Sequence, residues 1–179
     1  MWHDQSMSII GKLLVATPSL SDPNFYRTVI LLLQHDDEGA LGVVLNRPST
    51  EPLEAHLPDW APKSDPPIVF VGGPVAPEVA IGIVVGDEGS EPTDVSGLML
   101  IDLERGAEHV VSPVRVYSGY AGWAVGQLEL EIAEGAWYVV DAEAGDPLLD
   151  PHSMWSAILG RQVGPLQLVA TYPEDPSLN

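Results

Sequence analysis

The 179-residue sequence contains no cysteine. Disulfide bonds, thiolate metal sites and a cysteine nucleophile are therefore excluded, and the fold must be stable without covalent cross-links. Hydrophobic residues make up 45% of the chain, which is enough for one continuous core at this length. We therefore expect a single compact domain over residues 1–179, with flexible ends at 1–8 and 173–179.

Basic residues are scarce. Seven Lys and Arg stand against 26 Asp and Glu, so the formal net charge is −19. This excess of negative charge repels a phosphate backbone, and direct nucleic-acid binding is therefore not expected. The acidity is typical of a soluble protein that avoids non-specific association.

Long hydrophobic runs and a signal sequence are also missing. The longest apolar run, Val29–Leu33, is far shorter than the roughly 20 residues that span a bilayer. The first residues have neither the basic end nor the apolar stretch of a signal peptide. Together with the lack of disulfides, these features predict a cytoplasmic protein without membrane attachment.

What the sequence does contain is a series of short segments rich in Val, Ile and Leu and bounded by Gly, Pro or Asp, which is typical of strands. The predicted strands are Leu13–Ala16, Thr28–Gln34, Gly42–Asn46, Ile68–Val71, Ala80–Val85, Leu98–Ile101, Val114–Ser118 and Trp137–Val140. The second and third flank the acidic segment His35–Gly39 and predict an antiparallel hairpin that is buried on both faces. The Pro-rich stretch Glu51–Pro67 and the acidic stretch Glu88–Ser96 predict irregular loops.

The clearest helix signal covers Ala124–Glu134. Val125, Leu128 and Ile132 form one apolar stripe, whereas the glutamates of this segment point elsewhere. Gly135 follows where a left-handed cap ends a helix.

A second helix is predicted over Pro151–Leu159, with Asp150 as its N-cap. Shorter helices are expected after Asp22 and Asp102. Many short strands with few helices between them indicate an α+β fold rather than a doubly wound sheet.

Three groups of segments together resemble one bacterial family. They are Gly11–Pro18 with Asp22–Val29, then Gly42–Pro48 with Val71–Val75, and finally Gly119–Trp123 with Gly126–Glu129 and Gly135–Trp137. In this order and spacing the chain resembles the YqgE/AlgH family from about Ile9 to Tyr172. The resemblance implies an α+β domain whose mixed, bifurcated sheet forms a pseudo-barrel with flanking helices.

The resemblance supplies a fold but no chemistry. Some members of the family are labelled transcriptional regulators because they affect alginate production, which is a cellular and not a biochemical observation. No catalytic residue can be carried over to this sequence, so candidate residues must be sought in the sequence itself.

Gly72 and Gly73 follow the predicted strand Ile68–Val71 and precede Pro74. A phosphate-binding loop needs a Lys followed by Ser or Thr, and a dinucleotide loop needs spaced glycines that open a helix; neither pattern is present. We interpret the pair as a tight turn that brings two backbones together, and we keep both glycines as candidate ligand-binding residues.

The segment Gly119–Trp123 is predicted to join a strand to the clearest helix. Such a turn would present backbone N–H groups to an anion, with Gly119, Tyr120, Trp123 and Gln127 as candidate ligand-binding residues. The alternative is that the glycines allow the helix to dock closely and both aromatic rings belong to the core.

Asn46 and Arg47 end a predicted strand and are further candidates for ligand binding. One interpretation of Arg47 is an anion-binding residue. The other is an ion pair with a carboxylate, which is also expected for Arg27 and Arg115 in so acidic a chain.

The five histidines are scattered without the spacing of a metal site, and no nucleophile elbow occurs. His35 stands beside three acidic residues, which favours a solvated turn over a cation site. The sequence therefore predicts no metal and no cofactor.

The leading hypothesis is a non-enzymatic regulatory or binding protein that acts through a protein partner or a small ligand. The first alternative is an enzyme with an unrecognised site near Gly119–Gln127 and Arg47. The second is a direct DNA-binding transcriptional regulator, which the net charge of −19 disfavours. A homodimer is compatible with the apolar content, but no residue pattern specifies its interface.

Overall fold

A computed structural model describes residues 8–175 of the chain. The predicted flexible ends therefore lie mostly outside the described residues. In the described part, ten strands join in one sheet. Their bounds are β1 Lys12–Ala16, β2 Val29–Asp36, β3 Gly39–Val44, β4 Pro48–Pro52, β5 Ile68–Val71, β6 Val75–Val85, β7 Glu91–Pro92, β8 Leu98–Ile101, β9 Val114–Trp123 and β10 Trp137–Asp141.

Short helices flank this sheet. The α-helices of the described part are α1 Gln127–Ala133, α2 Met154–Gly160 and α3 Pro165–Val169, and the 3₁₀ turns are Leu53–Ala55, Ala61–Lys63 and Asp146–Leu148. Between residues 8 and 175, no helix has both the length and the apolar character needed to cross a bilayer.

The sheet forks at β9. Its main path runs β10-β1-β2-β3-β9-β6-β8-β7, and neighbours on this path are antiparallel. The branch consists of β5, which pairs with β9 in parallel, and β4, which pairs with β5. Because β5 contacts Val116–Ser118 and β3 contacts Ala121–Trp123, the two strands diverge along one edge of β9. This confirms the mixed, bifurcated sheet.

Apolar side chains cover both faces of the central strands. On β2, Val29 and Leu31 belong to one apolar cluster, and Ile30 and Leu32 belong to a second on the opposite face. All four side chains are fully buried. Burial on both faces is therefore confirmed for the first half of the hairpin, whereas its tip from Leu33 onward is partly exposed.

The eight predicted strands are all present, with ends that differ by a few residues. Two further strands, β4 and β7, lie where loops were predicted. Pro48, Pro52 and Pro92 weaken the strand signal of these segments. Both strands pair on one side only, where the missing N–H of proline is tolerated.

The Pro-rich stretch is also less irregular than predicted. Leu53 and Trp60 are buried and pack with Val116 in a third apolar cluster. The indole Nε1 of Trp60 donates a hydrogen bond of 3.0 Å to the carbonyl oxygen of Leu103. This stretch thus covers one face of the branch.

Helix α1 begins at Gln127, not at Ala124. Gly126 has a φ of +77°, which interrupts helical geometry before that point. Val125 is consequently 68% exposed, although the apolar stripe placed it in the core. Leu128 is buried and Gly135 has a φ of +81°, so the rest of the stripe and the left-handed cap are confirmed.

The second predicted helix also begins later than expected, at Met154. Asp150 caps a separate turn, because its Oδ1 accepts a hydrogen bond from the backbone N–H of His152. The predicted short helices after Asp22 and Asp102 are single turns, each closed by the aspartate's own side chain. The short helix α3 was not predicted.

Three glycines allow the fork. A Cβ at Gly72 would lie 2.3 Å from the carbonyl oxygen of Gly119, and one at Gly73 would lie 2.1 Å from the carbonyl carbon of Tyr120. A Cβ at Gly119 would lie 2.6 Å from the carbonyl oxygen of Gly73. These separations are far inside van der Waals contact. The interpretation of Gly72 and Gly73 as a close backbone approach is confirmed.

We expect Gly73→Ala to lower the free energy of unfolding by about 3 kcal/mol or more, because the added methyl group meets backbone that cannot move aside. Chemical denaturation measures the loss. The matched control is Gly145→Ala, where a Cβ meets nothing within 4 Å and φ is −78°. The control should change stability by less than about 0.5 kcal/mol. Equal losses in the two variants would contradict this account of the fork.

Tyr117 is a polar group inside the core. Its side chain is fully buried with its ring centroid 5.8 Å from that of Phe70, and its hydroxyl has no hydrogen-bond partner among the described residues. Burial raises the pKa of Tyr117 above its ordinary value. The fold therefore carries the cost of a desolvated phenol.

Removing that hydroxyl in Tyr117→Phe should raise the free energy of unfolding by about 1 kcal/mol at neutral pH. Above pH of about 10 the wild type should lose stability relative to the variant, because the unfolded chain ionises a phenol that the folded chain keeps neutral. Denaturant titrations across this pH range measure both effects. A variant less stable than wild type at pH 7 would show that the hydroxyl is favourably bonded.

Candidate functional site

Asn46 lies where the chain passes from β3 to β4, directly at the fork. Its Oδ1 accepts a hydrogen bond of 3.0 Å from the backbone N–H of Val29, and its Nδ2 donates one of 2.9 Å to the carbonyl oxygen of Arg27. Arg27 has a φ of +55°, an unfavourable backbone conformation for a residue with a side chain. Asn46 therefore stabilises the strained turn that precedes β2.

Arg47 fastens the same turn from the other side. Its guanidinium donates to the carbonyl oxygens of Tyr26, at 2.8 Å, and Pro23, at 3.2 Å. Its own carbonyl oxygen accepts a bond of 2.7 Å from the N–H of Val71. Partial burial lowers the pKa of Arg47. The side chain is thus held in one orientation by backbone groups.

Arg27 and Arg115 are also oriented by carbonyl oxygens and aromatic rings. The guanidinium carbon of Arg27 lies 4.0 Å from the ring centroid of Trp155, and the group donates to the carbonyl oxygen of Tyr172. Arg115 donates to the carbonyl oxygen of Pro147 and lies 4.4 Å from the ring centroid of Phe70. These contacts stand where the sequence led us to expect carboxylates.

A cleft of about 530 Å³ opens beside Arg47. Its lining includes the basic side chains of Arg27, Arg47 and His152, the aromatic side chains of Tyr26 and Trp155, the amide of Asn46, and Glu174 and Asp175 near the C-terminus. Two of the chain's seven Lys and Arg residues thus line one cavity. We name this cavity the arginine cleft.

A second depression of about 270 Å³ lies on the other side of Arg47 and is lined by Val71, Gly73 and Asn24. Arg47 and Pro48 line both depressions. The structure therefore brings Asn46, Arg47 and Gly73 together, as neighbours at the fork.

The predicted turn at Gly119–Trp123 is wrong. These residues continue β9, and Ala121–Trp123 pair with β3. Gly119 has a φ of +73° and bends the strand without ending it. Gly119 and the half-buried Tyr120 lie beside the Gly72–Gly73 turn, but neither lines the arginine cleft.

Trp123 and Gln127 lie elsewhere, around Glu131. The indole nitrogens of Trp123 and Trp137 donate to Glu131 Oε2 at 2.8 and 2.9 Å, and Gln127 Nε2 donates to Oε1 at 3.1 Å. Trp123 is only 7% exposed. The alternative interpretation of Trp123 as a core residue is confirmed, and the three donors fix α1 against the sheet. Glu131 was not predicted, since the apolar stripe says nothing about an acid's partners.

His35 is not simply a solvated turn residue. Its Nε2 contacts Glu129 Oε1, and this bond lowers the pKa of Glu129. The pair joins the hairpin tip to α1. Across residues 8–175, no three His, Asp or Glu side chains are grouped so that they could hold a metal ion.

Four residues of the arginine cleft, Tyr26, Arg27, His152 and Trp155, were not predicted as site residues. Arg27 and Tyr26 stand immediately before β2, whereas His152 and Trp155 come from the region of α2 more than a hundred residues later. Only the scarcity of arginine in the sequence offered a signal, and it indicated Arg47 and Arg27 alone.

The forked sheet, its short outer helices and the cleft at the branch point define a single-domain α+β protein of the curled-sheet, half-barrel class. The model of the AlgH-like family matches residues 13–167, which is most of the chain. The chain belongs to this family.

Known relatives agree with that assignment. A UPF0301 protein of Streptomyces coelicolor is 49% identical, covering 96% of both chains, and one of Mycobacterium bovis is 41% identical, covering 94% of this chain and 90% of the relative. A crystal structure of a Corynebacterium diphtheriae protein matches with a TM-score of 0.78 and 30% identity over 90% of this chain and 91% of that one. The solution structure of AlgH from Pseudomonas aeruginosa matches with a TM-score of 0.68 and 26% identity over 97% and 98%.

We expect Asn46→Ala to lower the free energy of unfolding by about 2–3 kcal/mol, because two hydrogen bonds are lost and the buried N–H of Val29 is left unpaired. Thermal or denaturant unfolding measures the change. Asn24→Ala, at an exposed position in the same turn, is the matched control and should change stability by less than about 0.5 kcal/mol. Similar losses in both variants would mean that Asn46 does not stabilise the turn.

Proposed function

We propose that this protein is a non-enzymatic binding protein that takes the oxyanion of a small ligand, a carboxylate or a phosphate, in the arginine cleft. The observation that carries the proposal is the grouping of Arg27, Arg47 and His152 in one cavity of a chain whose net charge is −19. In so acidic a protein, local positive charge gathered in a concave site favours recognition of an anion.

The orientation of the two guanidinium groups supports this proposal. A guanidinium is planar and carries five N–H donors, which match the oxygens of carboxylate and phosphate groups. Contacts with backbone carbonyl oxygens hold Arg47, and the face of Trp155 holds Arg27. Trp155 is itself fixed, because it is buried and its Nε1 donates to the carbonyl oxygen of Ala16. A ligand would therefore meet groups that need little ordering.

The electrostatics of Arg47 point in the same direction. Its pKa is lowered because partial burial disfavours the charged form. An oxyanion placed beside it would offset that desolvation. Binding of an anion is therefore more favourable here than at a fully solvated arginine.

A regulatory role would follow if the bound ligand altered association with a protein partner. Direct contact with DNA is disfavoured by the charge of the chain. The enzyme hypothesis for Gly119–Gln127 has little support from the side chains there, because Trp123 is buried and Gln127 is bonded to Glu131.

The test is titration of the full chain with inorganic phosphate and with citrate, followed by NMR chemical shifts of the arginine cleft. Substituting His152→Glu adds a negative charge to the cleft at an exposed position and should weaken binding roughly fivefold. The wild type should show saturating shifts at Arg27, Arg47 and Trp155.

The matched control is His109→Glu, which makes the same change at an exposed position outside the cleft. It should bind as the wild type does, apart from a small effect of net charge that screening by salt removes. Equal affinities of the two variants, or no saturable binding of either anion, would contradict the proposal.

A further inference from the structure

A groove of about 570 Å³ lies on another part of the surface and shares no lining residue with the arginine cleft. Its apolar lining consists of Leu53, Leu57, Val69, Val79 and Val116. We name it the valine groove. Leu53 and Val116 are buried at its floor, whereas Val79 is 41% exposed at its side.

One wall of the groove is an open strand edge. Strand β6 begins at Val75, but β8 pairs with it only along Gly82–Val85. In the part of the chain that the structure describes, no strand pairs with the outer edge of Val75–Ile81. The pairing of β6 with β9 also shifts between Val75 and Ala80, so the intervening residues bulge away from β9. An unpaired edge of this kind accepts another extended segment.

The exposed side chains of this edge are mostly apolar. Val75 is 39% and Val79 is 41% exposed, and Ala80 is exposed between them and the paired part of β6. Glu78 is the charged residue of the stretch. Adjacent exposed apolar side chains on an unpaired edge are typical of a protein-binding surface.

Negative charge surrounds the apolar lining. Glu51 and Glu78 both line the groove, and His56 Nε2 lies 3.3 Å from Glu51 Oε2. Among residues 8–175, Glu78 has no ion-pair partner. A segment that enters the groove therefore meets at least one uncompensated carboxylate.

We propose that the valine groove binds an extended segment of a protein partner in which apolar and basic side chains alternate. Successive side chains of an extended segment point to opposite sides, so one set can fill the apolar lining while the other reaches Glu51 and Glu78. A second copy of this chain fits less well, because it would bring the same carboxylates and a further charge of −19 to the contact.

The test is titration of the full chain with two capped synthetic peptides, one of alternating Val and Lys and one of alternating Val and Glu. Isothermal calorimetry and NMR shifts at low and high salt report binding. The Val-Lys peptide should bind at the valine groove and lose about tenfold in affinity between 0.05 and 0.5 M salt, while the Val-Glu peptide should not bind.

Two pairs of variants locate the contact. Glu78→Lys should weaken the Val-Lys peptide by about tenfold, whereas Glu104→Lys, the same change at an exposed position outside the groove, should retain most of the affinity. Val79→Asn should weaken binding several-fold, and Val111→Asn, at a valine that is 84% exposed elsewhere, should not. All four positions are exposed, so the variants should fold.

Three results would overturn the proposal. Equal weakening by Glu78→Lys and Glu104→Lys would show general attraction to an acidic surface. Equal binding of the Val-Glu peptide would remove the charge argument. Concentration-dependent dimerisation that Val79→Asn abolishes would make a second copy the occupant. His152→Glu should not change peptide binding, so failure here is distinguishable from failure of the anion-binding proposal.

Discussion

The close approach of backbones at Gly72, Gly73 and Gly119 is the constraint on which the rest of this structure depends. Side chains at these positions would overlap backbone atoms of the neighbouring strand, so β5 can leave the edge of β9 only where glycine removes the Cβ. The edge that β5 vacates is taken by β3. One antiparallel sheet thereby acquires a parallel branch, and both faces of its central strands can be covered by apolar clusters.

The fork also determines the surroundings of the candidate site. The chain must cross from β3 to β4 at this point, and Asn46 and Arg47 are the residues that make the crossing. Their side chains bond to the backbone of the turn that precedes β2 and hold it in a conformation that Arg27 would otherwise avoid. The arginine cleft is therefore a product of the same connection that builds the sheet. Its cations are held by structural bonds, which is the arrangement that favours a preorganised anion site.

Net charge describes this protein poorly at short range. A chain with a formal charge of −19 has one cavity lined by two arginines and a histidine, and a separate apolar groove lined by two glutamates. The two surfaces call for ligands of opposite sign, and we have proposed a small oxyanion for the first and a basic, extended segment for the second. Because salt screens charges beyond about 10 Å, local groupings of this kind outweigh the overall charge at each site.

The sequence by itself determined the properties that depend on neighbouring residues. Apolar runs such as Val29–Leu33 identified eight strands, Gly135 marked the end of α1, and paired glycines predicted a close backbone approach. The tertiary structure alone decided which segments meet: Gly119–Trp123 became strand because β3 pairs with it, and Trp123 joined Trp137 on Glu131. Likewise, Trp155 and His152 reached Arg27 from a distant part of the chain. Hydrophobic periodicity records which side of a segment is buried but not its partner, so contacts between distant residues emerge only when the whole core is packed.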